Sequence, residues 1–241
     1  MNKIILCEGE TDAILLSYFL EKTAGWTFCK RPPLNIAIKA DAFEQSVNWY
    51  ENGMDRLLIC GVGGKDNMSS FFRNKVYRPI VDAGAFSRLA VVLDRDNRTV
   101  KSIEDHASSI FSPIITRMNN NQWTENHYTD AYGKEQVVDG LLVVIPTEHE
   151  GALETVMLDS ISENSYDAVI VDKVAAFVKE MRTIASKYIS SDRKELKARL
   201  GVTWAIQYPE KVFKLIDEQI KSVAWEDSEV LKSCFGELIK I

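Results

Sequence analysis

The sequence lacks several features that would have settled its class at once. No apolar run approaches the roughly 18 uninterrupted residues of a membrane span. The N-terminus has neither the apolar core nor the small-residue cleavage site of a secretory signal. Cysteine is sparse and scattered: Cys7, Cys29, Cys60 and Cys234 show no CxxC spacing, which argues against a thiolate zinc site. Cys7 and Cys60 end apolar runs, where a small buried thiol is the expectation. The three histidines, His106, His127 and His149, have no ligand spacing. A Walker A motif is missing, so no nucleotide cofactor is expected in this chain. The net charge of -6 excludes a generally basic nucleic-acid surface, though not a local basic patch. These absences together predict a reduced, cytoplasmic protein with no membrane contact.

What is there is an ordinary globular composition, with 46% apolar and 27% charged residues in a chain of 241. That length suits one large domain, or one domain with a modest appendage. Lys3 to Cys7 reads as a buried strand, followed by a helix from about Glu10 to Lys22. Pro32-Pro33 interrupts regular structure. "LNIAIKA" is a short strand candidate, and "DAFEQSVNWYENG" a helix with Asp41 as N-cap and Gly53 as stop. "RLLICGVGGKDN" and "RLAVVLDRDNR" each repeat the opening logic of an apolar strand running into a turn. A helix from about Val100 to Met118 follows the second of them. The polar stretch from Asn119 to Asp139 reads as a loop or hairpin insertion, and "GLLVVIP" as a fourth buried strand before the helix "GALETVMLDSI". Strands alternating with helices indicate parallel βαβ units, and from about Ser165 onward the pattern is almost wholly helical.

Acidic residues recur just beyond these strands. Glu8 follows the first, Asp94 and Asp96 the third, and Glu148 to Glu154 the fourth; Asp12 lies about one helical turn after Glu8. Ligands of open parallel sheets bind beyond the carboxyl ends of the strands. Any single carboxylate there is more often a cap or turn residue, but three strand ends carrying them together are harder to dismiss. Two of them 4 Å apart repel by about 4 kcal/mol at an effective dielectric near 20. A cluster therefore needs a cation or protonation, and oxygen-only ligands suit Mg²⁺, Mn²⁺ or Ca²⁺. On an extended segment Asp94 and Asp96 share a face, and could hold one metal or bridge two.

"CEGETD" followed much later by apolar "LDRD" resembles the Toprim domain of topoisomerases, primases and several nucleases. That domain carries Glu-Gly-x-x-Asp after its first strand and Asp-x-Asp after its third. Glu8, Gly9 and Asp12, then Asp94 and Asp96, match it residue by residue. "IPTEHEGALETVML" is similar to the strand-four region of OLD-type (overcoming-lysogenisation-defect) nucleases and their small stand-alone relatives, which places a further acidic position at Glu154. "DRKELKARLGVTWAIQYPEK" and "VAWEDSEVLKSCFGELIKI" resemble the C-terminal helices of those relatives. A lysine there accompanies the metals; Lys197 is the first choice and Lys194 the second. The likeness covers most of the chain and is loose over residues 23–56 and 119–140.

The resemblance implies an α/β fold: a Toprim (Rossmann-like) parallel sheet flanked by helices over residues 1–164, with a helical extension over 165–241 packed on it. It implies a nuclease dependent on Mg²⁺ or Mn²⁺, using two ions about 3.5–4 Å apart for in-line phosphodiester hydrolysis. Glu8, Asp12, Asp94, Asp96 and Glu154 would be the metal ligands, Glu8 alternatively a general acid or base. Lys197 would stabilise transition-state charge. DNA is the expected nucleic acid ahead of RNA, in phage defence or repair. A separate ATPase partner and an oligomeric state are left open.

Beside this stand a non-catalytic Toprim scaffold and another metal-dependent phosphotransfer enzyme on a similar core. The turn "GVGGKDN" offers Gly63, Gly64 and Lys65 either as a plain turn or as a nucleic-acid-contacting rim. His149 sits near the expected site as a bystander or a substrate contact, and the tryptophans read as packing residues.

Overall fold

A computed structural model of the chain describes residues 1–33, 35–211 and 214–241. In chain order its strands and helices are β1 (Asn2–Cys7), α1 (Glu10–Ala24), β2 (Thr27–Phe28), β3 (Ser46–Asn52), β4 (Asp55–Gly61), α2 (Met68–Phe71), α3 (Tyr77–Ala83), β5 (Arg88–Asp94), α4 (Val100–Phe111), β6 (Thr124–Thr129), β7 (Glu135–Ile145), α5 (Leu153–Ser162), α6 (Ser165–Ile184), α7 (Asp192–Gln207), α8 (Ile216–Ile220) and α9 (Glu229–Phe235). A π-helical turn, Phe72–Val76, joins α2 to α3.

The strands form one mixed seven-stranded sheet in the order β2-β3-β4-β1-β5-β7-β6. Its centre, β4-β1-β5-β7, is parallel, and the antiparallel strands lie at the edges. The parallel strands are the continuous apolar runs, because helices cover both of their faces. Alternate residues divide cleanly between the two layers. Ile4, Leu6, Leu58, Cys60, Leu89, Val91, Leu142 and Val144 pack with Met68, Phe72, Ile80, Ile103 and Phe111 of α2 to α4. Ile5, Cys7, Leu57, Ile59, Ala90, Val92, Leu141 and Val143 face the other way, onto α1, α5 and the C-terminal helices.

The C-terminal helices share that second core. Trp225, Leu231, Phe235 and Leu238 belong to the same cluster as Ile5 and Phe19, and the Phe19 and Phe235 rings meet edge to face at 5.6 Å. No helix among the described residues is long and apolar enough to cross a membrane. All four cysteines are buried free thiols.

Several expectations need correction. The sheet is not wholly parallel. Residues 41–53 form no helix: Ser46–Asn52 is strand β3, paired antiparallel with β4. Gly53-Met54, with Gly53 at φ 58°, is the two-residue hairpin turn between them, so the glycine closes a β-ribbon and stops no helix. Asp41 caps nothing; its carboxylate pairs with Lys75. The strand expected over "LNIAIKA" is not formed by residues 35–40, although Ile36 and Ile38 are buried; Leu34 lies outside the described residues, as do Val212 and Phe213 of the helical C-terminal stretch. The helix beginning at Val100 ends at Phe111 instead of near Met118, because Pro113 cannot continue it. Residues 119–140 do contain a hairpin, β6 with the first half of β7.

Gly61, at the end of β4, positions the turn after β1. A Cβ there would stand 2.6 Å from the Gly9 carbonyl oxygen and 2.7 Å from Ser46 Oγ. Gly61→Ala is expected to destabilise the protein by about 1–3 kcal/mol, the usual range for forced overpacking. Gly201→Ala, in open space on α7, should instead stabilise by up to about 1 kcal/mol through helix propensity. Urea denaturation of the two variants checks both signs.

Candidate active site

Adjacent parallel strands end at one edge and deliver acidic side chains to it. Cys7 pairs with Val92 and Asp94 with Ile145. Glu8, one residue past β1, therefore meets Asp94, the last residue of β5. Glu8 is 1% exposed, Asp94 2%, Asp12 7% and Glu154 8%, values rare for carboxylates without compensating partners. Together with Gly63, Gly64, Arg193 and Lys197 these four line a cleft of about 460 Å³.

Backbone amides hold the acids in place. Glu8 Oε1 accepts the Asp94 N–H at 3.0 Å, and Asp94 Oδ1 accepts the Leu153 N–H at 3.0 Å, tying β1 to β5 and β5 to the start of α5. Asp12 Oδ2 accepts the Gly9 N–H at 3.0 Å. Asp12 thus caps α1 and also lines the cleft.

Cations from outside the strands complete the arrangement. Arg193, in the first turn of α7, places Nη2 3.1 Å from Asp94 Oδ2 and Nη1 3.6 Å from Glu8 Oε2. Lys197 Nζ lies 3.6 Å from Glu154 Oε1. Lys194 takes no part; its Nζ bonds Ser190 Oγ on the exposed side of the helix. Arg193 was not singled out in the sequence, where "DRKELKARL" gives no sign of which basic residue reaches the strand ends. Ser191, which accepts the Lys194 N–H as N-cap of α7, is the one local signal placing Arg193 in a first turn.

Asp96 departs from the expected alternation. It has φ 52°, in the left-handed region, and exchanges backbone hydrogen bonds with Gly151. That turn breaks the extended geometry that would set Asp96 on the face of Asp94. Asp96 instead pairs with Lys65 at 2.6 Å and lines a neighbouring groove of about 600 Å³, together with Glu150, Arg193 and Arg199. Lys65 is therefore already engaged, and the Gly64 amide donates to the Glu8 carbonyl at 2.7 Å. Gly63 and Gly64 line the cleft as turn residues at φ 83° and 110°. His149 pairs with Asp159, and His127 lies between Glu125 and Glu135. His106 lines a groove with Asp66 and Arg98.

Burial governs the electrostatics. Desolvation, then the charge of Glu8, pushes the Asp12 carboxyl up to about 7. Desolvation followed by Asp12 and Glu8 holds Asp94 well above the usual carboxylate range, against the pull of Arg193. Glu8 is raised chiefly by burial, with the Asp94 amide and Arg193 opposing. For Arg193 partial burial works downward, and Asp94, Glu8 and Glu154 more than offset it. Buried, mutually repelling acids of this kind mark functional sites more often than chance.

The donor chemistry suits a hard divalent cation, because every candidate atom is a carboxylate oxygen. Two of these oxygens, Glu8 Oε2 and Glu154 Oε2, are buried without a hydrogen-bond partner. The arrangement does not suit one as it stands. Among the described residues no group of three or more His, Cys, Asp and Glu side chains is disposed to hold a metal ion. Arg193, Lys197 and Lys65 each take a carboxylate, and Asp96 turns aside.

A pH dependence follows from Asp12. Its folded-state carboxyl binds a proton more tightly than the unfolded one, so between about 3.8 and about 7 the native state holds the extra proton. The stabilisation is fully present below that window and is lost as pH rises through it. In chelator, the urea midpoint of the wild type should fall more steeply between pH 5 and pH 8 than that of Asp12→Asn. Parallel profiles would contradict this origin.

Compared with known proteins, residues 2–233 match a family described as a protein of unknown function, DUF3226. The crystal structure of the hypothetical protein PH0156 from Pyrococcus horikoshii OT3 aligns over 98% of this chain and 99% of that one, at 16% identity and a TM-score of 0.49. No curated protein matches. Since the family match spans nearly the whole chain, this protein belongs to the DUF3226 family.

Proposed function

We propose that the protein is a divalent-metal-dependent nuclease of the Toprim type, hydrolysing phosphodiester bonds in DNA. The observation that carries this reading is the meeting of Glu8, Asp12, Asp94 and Glu154 in one buried cleft at the carboxyl edge of the sheet. A purely structural site has little use for four desolvated acids, whose mutual repulsion weakens the fold. The Oε2 atoms of Glu8 and Glu154, on residues that line that cleft, are buried without a hydrogen bond and keep accepting capacity.

A bound Mg²⁺ or Mn²⁺ would supply Lewis-acid activation of water and of the scissile phosphate. Glu8, Asp12, Asp94 and Glu154 are the side chains that would hold it, in an arrangement the described residues do not adopt while Arg193 and Lys197 pair with them. The chain's own residues account for the remaining roles. Glu8, with its carboxyl raised by burial, is suited to accept and return a proton. Arg193 and Lys197 sit where they would offset charge building on a phosphate, and the guanidinium fork matches two phosphate oxygens. Phe43, 98% exposed on the lining of the same cleft, offers a face for a base to stack on.

One observation favours a second reading. Asp94, Glu154 and Asp96 already have a basic partner, which a non-catalytic binding module would also show. Incubation with linear and supercoiled DNA separates the two. Cleavage that requires Mg²⁺ or Mn²⁺ and drops by about 100-fold or more in Glu8→Gln and Asp94→Asn supports catalysis. Intact DNA under every metal, with no metal binding by calorimetry, would sink it.

A further inference from the structure

The same two carboxylates that suit a cation already have one, and it belongs to the chain. We propose that Arg193 is a built-in counter-ion for Glu8 and Asp94, which a divalent cation must displace, so that withdrawal of the first turn of α7 gates metal entry. The inference rests on the metal-dependent reading and adds to it a competitor within the molecule.

Three observations carry it. Arg193 reaches both acids from a different part of the fold, at 3.1 Å from Asp94 and 3.6 Å from Glu8. The burial is lopsided: the Arg193 side chain is 42% exposed, while those of Glu8 and Asp94 are 1% and 2% exposed. The guanidinium thus meets both acids from their more exposed side, on the lining of the same cleft. Finally, Glu8 Oε2 is buried and lacks a hydrogen bond, because 3.6 Å is too long for one. Arg193 therefore neutralises this oxygen without saturating it. A smaller, more highly charged ion can approach closer, and a compact ligand shell cannot include the guanidinium as well.

The segment that would move is held lightly. Residues 185–191, before α7, contain no regular helix or strand and are largely exposed. The first turn of α7 is braced to α6 by Arg182, which pairs at 2.6 Å each with the exposed Asp192 and the partly buried Glu195. The exposed pair contributes little.

Mn²⁺ binding followed by electron paramagnetic resonance tests the proposal independently of any activity. Arg193→Gln should bind Mn²⁺ about tenfold tighter than the wild type or more, the scale of an ordinary coupling between two sites. Arg193→Lys, which keeps the charge but loses the fork, should fall between them. In the wild type, added Mn²⁺ should also speed amide hydrogen exchange over residues 185–195, a measurement that needs no variant to fold. Equal or weaker Mn²⁺ binding by Arg193→Gln, with unchanged exchange over that segment, overturns the gate while leaving metal binding intact. No Mn²⁺ binding by any of the three proteins overturns the metal reading itself, and the gate with it.

Discussion

Glu8 and Asp94 end neighbouring parallel strands, and almost no water reaches either of them. Two like charges placed there raise each other's proton affinity and oppose folding unless something answers them. Their answer is built in layers. One oxygen of each is fixed by a backbone amide, Asp94 for Glu8 and Leu153 for Asp94. The other faces a guanidinium from α7. Stripping one member from a buried ion pair generally costs about 3–5 kcal/mol. Arg193 is half in solvent, which lowers its share of that figure. The direction is unaffected: the acids need a cation, and the fold is arranged to bring one.

That need explains why the C-terminal helices are more than an appendage. Their apolar faces share a core with α1 and the sheet, through Phe235, Trp225 and Leu231. Their polar contribution is Arg193 and Lys197, set four residues apart and so on one face of α7. The chain thus commits its last third to covering and neutralising a site made by its first two thirds. Gly61 does related service at short range, giving the Gly9 turn room to pass.

How much of this could be read from the sequence depended on the kind of signal. Strands buried on both faces show as unbroken apolar runs, and all four parallel strands were legible for that reason. β3 was not, because a strand near the sheet's margin with one buried side mixes Asn48 and Glu51 with Val47 and Trp49 and imitates an amphipathic helix. Gly53 was the discriminating signal, since a glycine at the first central position suits a two-residue hairpin turn. Glu8, Asp12 and Asp94 were legible from their positions after strands and Glu154 from the resemblance, and the structure gathers the four into one cleft. Asp96 was misplaced because a left-handed residue right after a strand cancels the period-two rule. Arg193 was invisible for a more general reason. Which cation of a basic stretch reaches a distant acid depends on how a late helix docks, and local sequence carries no record of docking.

The charge of the whole chain is a poor guide to what this cleft can attract. Charges separated by more than about 8 Å in physiological salt are largely screened. The acids in excess across the surface therefore weigh less on a bound phosphate than Arg193 and Lys197, which line the cleft itself, or Lys65 and Arg199 in the adjoining groove. In the structure three of these four cations face carboxylates: Arg193 pairs with Asp94 and Glu8, Lys197 with Glu154, and Lys65 with Asp96. On the proposed exchange, a divalent cation takes over Glu8 and Asp94 and returns Arg193 to the groove as an uncommitted donor. Metal entry would then do two things at once, neutralising the buried acids and turning the rim basic. An acidic protein would gain a site for a polyanion only when the metal is present.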